Sequence, residues 1–217
     1  MKEQGASAEA REILVRGLAA LGLEPTEAQV GSFMTYLGEL KRWSRAYSLT
    51  SLKSDMEIVV GHFLDSCLYL KGLDTSVTSV ADVGSGAGLP GLPLKIMRPE
   101  LNITLIEPTR KKAAFLRYVA GKLAFGGLRV MECTLQEAEG EVLVDVAVTR
   151  ALWSVEEFVR RADSIVKPGG QMVMSKGPKL QEELKAAKGK LPEYRIIEAA
   201  LPFGDSALRQ IVVISKP

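Results

Sequence analysis

A chain of 217 residues, 47% hydrophobic and 25% charged, is long enough to bury a sizeable core and too apolar to be disordered. Its 28 basic and 26 acidic side chains leave a net charge of +2, which excludes a generally polycationic binder and puts any nucleic-acid contact on a local patch. Cys67 and Cys133 share no metal or redox spacing, and no signal-peptide core or membrane-length apolar run is visible, so a cytoplasmic, metal-free, membrane-free protein without disulfides is expected.

Residues 7–22 carry Ile13, Leu14, Leu18 and Leu21 at helical spacing and stop at Gly22. Thr26-Glu27-Ala28-Gln29 has the capping-box pattern and opens a second helix, with Val30, Phe33, Met34, Leu37 and Leu40 on one stripe. Ser54-Asp55-Met56-Glu57 opens a third, running through Ile58, Val59, Phe63, Leu64 and Leu68. From Thr78 the pattern changes. Strands are predicted at 78–83, 102–106, 128–132, 144–149 and 170–175, with helices at 91–98, 110–124, 154–166 and 179–188 between them. Pro99 stops the first of these helices, and Pro168-Gly169-Gly170 marks a turn into a strand. Residues 195–200 and 208–214, joined by Pro202-Phe203-Gly204-Asp205, predict a hairpin at the sheet's edge. The division expected is a helical extension at 1–75 packed on an α/β domain at 76–217. A parallel sheet finished by an antiparallel strand resembles the Rossmann-like class I S-adenosylmethionine methyltransferases.

The densest signal runs from Val80 to Gly91. A short apolar run leads into glycines at 84, 86, 88 and 91, and the next strand ends in Glu107. Such a loop lets a ligand approach the backbone, and a carboxylate at the following strand end accepts from a ribose diol. Dinucleotide enzymes want Gly-x-Gly-x-x-Gly, but the sixth position from Gly84 is Leu89. Pro90 and Pro93 also remove N–H donors where a pyrophosphate-binding helix would begin. A donor without phosphate fits better, its methionine ammonium balanced by Asp82.

The acceptor is narrowed by absence. The stretch after the fourth strand reads Asp145 to Ala151, without the Asn/Asp-Pro-Pro-aromatic signature of exocyclic-amine methylation. Carbon-5 pyrimidine methylation needs a nucleophilic thiolate, and Cys67 and Cys133 fall on a helix and at a strand end. Five segments occur in order: Ser48-Leu49-Thr50-Ser51, His62 to Ser66, Asp82 to Leu94, Lys111 to Leu116, and Arg150-Ala151. On these the chain resembles the glucose-inhibited division protein B family, small-subunit (16S) ribosomal RNA guanine-N7 methyltransferases.

The resemblance implies S-adenosylmethionine as cofactor and ribosomal RNA as partner, most simply with a monomer. It implies Asp82, Gly84, Ser85, Gly86, Gly88 and Leu89 along the donor's methionine and ribose, Glu107 on the ribose, and Leu135 and Gln136 beside the adenine. It implies Arg150 at the mouth, near the methionine carboxylate or the RNA, with His62 and Asp65 as catalytic candidates. Lys176, Lys179, Arg209 and Arg45 are the expected RNA contacts. The chain departs from the family at Cys133-Thr134-Leu135-Gln136, where Gly/Ser-Arg-x-Glu is frequent, at Gly61, and at Arg209-Gln210. Other readings stay open here: a small-molecule or protein methyltransferase, a non-catalytic donor-binding module, and a purely structural His62. Trp43, among Lys41, Arg42 and Arg45, either stacks on a base or packs the extension onto the core, the latter favoured.

Overall fold

In the computed structural model, residues 2–204 and 208–217 are described, with side chains from Ser7 onward; Asp205 of the expected turn lies outside them. Helices α1 (Lys2–Ala20) and α2 (Glu27–Tyr47) form the expected pair. Thr26 and Gln29 complete a capping box at the start of α2, Gln29 Oε1 accepting from the Thr26 N–H at 2.8 Å. The third helical segment does not run as one α-helix. It breaks into α3 (Asp55–Ile58), a π turn (Val59–Leu64), α4 (Asp65–Cys67) and a 3-10 turn (Leu68–Gly72). The β-branched pair Val59-Val60 followed by Gly61 favours regular α geometry poorly, and such widened turns recur at functional sites.

The sheet has seven strands: β1 (Ser79–Val83), β2 (Asn102–Ile106), β3 (Leu128–Met131), β4 (Val144–Arg150), β5 (Val166–Lys176), β6 (Tyr194–Ala200) and β7 (Leu208–Ser215). Their order is β3-β2-β1-β4-β5-β7-β6, with β1 to β5 parallel and β7 antiparallel to both neighbours. Helices α5 (Gly91–Met97), α6 (Arg110–Lys122), α7 (Val155–Ala162) and α8 (Leu180–Ala186) connect them.

The expected turn at Pro168-Gly169-Gly170 lies instead inside β5, and the helix expected to reach 166 ends at Ala162. There the pairing with β4 slips, from Val144↔Val166 to Val146↔Gln171. Gly169 takes φ +74°, and Gly170 C=O accepts from Lys216 N–H at 2.8 Å, so turn chemistry serves a bulge.

Alternation along the strands sends Val80, Ile103, Leu105, Val146, Val148 and Val173 into a core shared with α1, α2, the 59–72 segment, α5 and α6. Ala81, Val83, Ile106, Ala147, Met172 and Met174 face α7 and α8 around Phe158. Two buried tyrosines tie the helical segments to the sheet's carboxyl edge. Tyr36 donates to Ala87 C=O at 2.6 Å, within the glycine loop. Tyr69 donates to Thr149 C=O at 2.6 Å and accepts from Ser175 N–H at 2.9 Å, bridging the ends of β4 and β5. Trp43 packs α2 on α6, its ring 5.6 Å from Phe115 and 5.4 Å from Tyr118. Among the described residues no helix is long and apolar enough to cross a membrane.

Candidate active site

The reversal of strand order between β1 and β4 opens a crevice at the sheet's carboxyl edge, where ligands of open α/β sheets bind. The loop after β1 is pinned to β2, since Gly84 and Ser85 N–H both donate to Ile106 C=O at 2.9 and 3.1 Å. Gly86 has φ +58°, and a methyl group built on it would meet only the Gly84 carbonyl oxygen, at 3.9 Å, so the loop presents bare backbone to the crevice. At Gly91 the reason is closeness: a Cβ there would lie 2.4 Å from Leu105 and 2.8 Å from Asp82 Oδ2.

Asp82 is fully buried; Oδ2 accepts from Gly91 N–H at 2.8 Å, and Oδ1 has no partner. Burial pushes its carboxyl up to about 7, against the opposing pull of Gly91 N–H and the Arg150 charge. Across the crevice Glu107 accepts from Gly86 N–H and Thr109 N–H, both at 2.8 Å. Glu107, Lys112, Leu135, Gln136, Leu152 and Trp153 help line a cavity of about 350 Å³. A larger cavity of about 630 Å³ adjoins it through Leu152 and Trp153 and runs to Lys176 and Lys179.

Arg150, at the end of β4, reaches Gly61 C=O at 3.3 Å, Asp65 Oδ2 at 3.4 Å and His62 Nδ1 at 3.2 Å. Arg209 Nε reaches Asp65 Oδ1 at 3.1 Å, so one carboxylate holds two guanidinium groups from β4 and β7. Nδ1 of His62 faces two groups of opposite demand, the Arg150 guanidinium, which can only donate, at 3.2 Å and Gly61 C=O, which can only accept, at 3.1 Å. The ring's Nε2 shares a hydrogen bond with Thr50 Oγ1, 2.6 Å away. Burial first, and the Arg150 charge second, lower the His62 pKa to about 4, so the ring is neutral at physiological pH.

Residues 29–212 match the family model for rRNA small subunit methyltransferase G. A protein named ribosomal RNA small subunit methyltransferase G from Neisseria meningitidis serogroup B is 35% identical over 96% of this chain and 99% of its own length. One of the same name from Azoarcus sp. is 33% identical over 94% and 95%. The chain belongs to the rRNA small subunit methyltransferase G family. A solved predicted O-methyltransferase from Agrobacterium tumefaciens shares the fold, with TM-score 0.55 and 23% identity, covering 71% of this chain and 79% of its own. So does M. jannaschii TYW2 in complex with AdoMet, with TM-score 0.51, 12% identity and coverage of 70% and 74%.

Class I methyltransferases draw their methyl from S-adenosylmethionine, and the crevice of this family member suits that group. An unpartnered buried carboxylate oxygen at Asp82 is the acceptor an ammonium requires, and the cavity beside Glu107 offers acid and apolar walls for a nucleoside. Gly84, Ser85, Gly86, Gly88 and Leu89 form the loop over this edge, with Leu89 and Leu135 buried and Gln136 exposed.

The RNA candidates are placed less uniformly. Arg45, at the end of α2, and Lys179, before α8, are exposed. Lys176 is only 10% exposed; it donates to Trp153 C=O and pairs with Glu183 at 2.8 Å, which turns its charge inward. Arg209 belongs to the Asp65 cluster.

Several features escape sequence reasoning. Lys112 lines the nucleoside-sized cavity although its helix reads as a solvated basic face. Tyr36 and Tyr69 read as ordinary stripe residues of helices. In the departing loop, Glu137 accepts from Thr134 N–H at 2.7 Å and Thr134 Oγ1 at 2.8 Å, so an acid one position later holds the 134–138 turn. The signal was the Thr-x-x-Glu spacing, a capping box inside a loop.

Proposed function

We propose that this chain transfers the methyl group of S-adenosylmethionine to N7 of a guanine in 16S ribosomal RNA by direct in-line displacement. When bound, S-adenosylmethionine supplies an electrophilic methyl on a sulfonium and leaves as a neutral thioether. Asp82 would accept from the methionine ammonium, Glu107 from the ribose hydroxyls, and the Leu135–Gln136 turn would flank the adenine. Arg150 would face the methionine carboxylate from the opposite side of the crevice, its guanidinium held by His62, Asp65 and Gly61 C=O.

The observation that carries the N7 reading is the state of His62. Both ring nitrogens are engaged, Nδ1 by Arg150 and Gly61 C=O and Nε2 by Thr50, and a pKa of about 4 makes the ring a weak base. Asp65 is occupied by two guanidinium groups. The cluster beside the crevice therefore offers no free general base, which favours an acceptor that attacks with its own lone pair. Guanine N7 is such an atom: the N–C bond forms as the C–S bond breaks, and no proton moves. Catalysis then rests on alignment of N7, methyl and sulfur. N7 lies on the deep major-groove edge of A-form RNA, so the target must be unpaired or extruded.

The test supplies labelled donor with unmodified small-subunit RNA or subunits, followed by strand cleavage selective for N7-methylguanine. A labelled RNA that cleaves at one guanine supports the reading. Label at adenine, pyrimidine or an exocyclic amine rejects it.

A further inference from the structure

Away from the crevice, the end of α2 and the segment leading into α3 enclose a second cavity of about 250 Å³. Lys41, Ser44, Arg45, Thr50 and Lys53 line it. Ser44 Oγ is buried and has no hydrogen-bond partner. Lys41 is neutralised by Asp55, but among the described residues neither Arg45 nor Lys53 forms a side-chain ion pair, and both are exposed. Thr50 Oγ1 accepts from Leu52 N–H at 3.1 Å and shares a 2.6 Å hydrogen bond with His62 Nε2. Two cations and the unpartnered Ser44 hydroxyl thus line one small hollow walled by Thr50, Leu52 and Ile58, a donor set that matches an oxyanion carrying several acceptor oxygens. Through Thr50 and His62 the hollow is two hydrogen bonds from Arg150.

We infer that this hollow is a subsite for one phosphodiester of the substrate RNA, seated by Arg45, Lys53 and Ser44. The inference rests on the proposed RNA substrate and assigns the strand's path on the enzyme: the backbone is gripped at the end of α2, on the side of the His62 ring facing away from Arg150. Thr50, in the wall of the hollow, then lies between the strand and the chain of bonds that positions the guanidinium.

The experiment compares the full-length protein with the double variant Arg45→Gln/Lys53→Gln, both solvent-facing changes. Filter binding of unmodified small-subunit RNA is measured across a range of salt concentrations, with donor binding followed by calorimetry as a control of the fold. The variant is expected to bind RNA about tenfold more weakly, with the salt slope smaller by roughly 0.7–0.9 for the one lost phosphate, and with donor heat unchanged. An unchanged RNA affinity and slope overturns the subsite. So does inorganic phosphate that binds the wild-type chain in a way the variant abolishes while the RNA slope stays the same, because the hollow would then hold a free anion. If the wild-type chain shows the slope difference but puts no methyl on the RNA, the subsite stands and the proposed reaction falls.

Discussion

The two sides of the crevice are built on different principles. The side proposed for the donor, the loop 82–91 with Glu107, lies at the ends of two adjacent parallel strands, and its contacts are mostly from backbone N–H groups. The opposite side gathers Thr50, His62, Asp65, Arg150 and Arg209 from four separated segments, and its contacts run between side chains. A backbone cradle tolerates sequence change as long as the turns survive. A side-chain cluster of this kind leaves a buried charge or lone pair without a partner whenever one member is removed.

The largest effect is expected from the cluster. Arg150→Ala should lower methyl transfer to RNA by about 10²–10³ and weaken donor binding by calorimetry about tenfold, because the lost group aligns the donor's methionine end rather than supplying the nucleoside site. Full activity in this variant would make the cluster structural only.

On the donor side Asp82→Asn should weaken donor binding about 30- to 100-fold, the size of a charge-assisted hydrogen bond lost in a buried site. Its pH dependence sharpens the point. The folded pKa of about 7 lies above the ordinary carboxylate value, so without the donor the neutral form is favoured and its stabilisation is lost as pH rises through 7. An ammonium reverses that preference. Donor affinity is therefore expected to rise about tenfold from pH 6 to pH 8, and the Asn variant should show a flat profile over that range.

His62 gives a readout of the cluster alone, because it is the only histidine in the chain. Its depressed pKa means that stability present above pH 6.5 is lost as pH falls toward 4, roughly 2–3 kcal/mol in all. Chemical unfolding at pH 7 and pH 5 should show about 2 kcal/mol of that loss, and His62→Gln should remove most of it. In NMR titrations the ring should titrate near 4, and higher in Arg150→Ala.

Tyr36→Phe is the mildest test, and it joins the two halves. Losing the hydroxyl leaves Ala87 C=O buried without that donor, which should cost about 1–2 kcal/mol in unfolding and loosen the glycine loop. An unchanged donor affinity would show that the loop keeps its shape without the helical extension.

How far each half was legible follows from the same contrast. The glycine loop and Glu107 are readable because turn chemistry and strand ends are local properties of sequence. The cluster residues are readable only through family resemblance, since nothing local links Thr50 to His62 to Arg150. Tyr36 and Ala87 are separated by 51 positions, a pairing that no periodicity can express. Lys176 reads as an edge cation because its pairing with Glu183 depends on how α8 folds back over β5. The π turn at 59–64 and the bulge at 168–170 are local, yet their signals are the same residues that ordinarily mark a helix or a stop.

Tyr69 sets the geometry in which all of this operates. Its phenol oxygen sits between Thr149 C=O and Ser175 N–H, groups that would otherwise be candidates to pair across β4 and β5. The β4–β5 pairing runs on to Arg150↔Ser175, so a side chain from the helical segment is built into the final rung that carries Arg150, and the guanidinium's starting point is fixed from both sides of the sheet's edge.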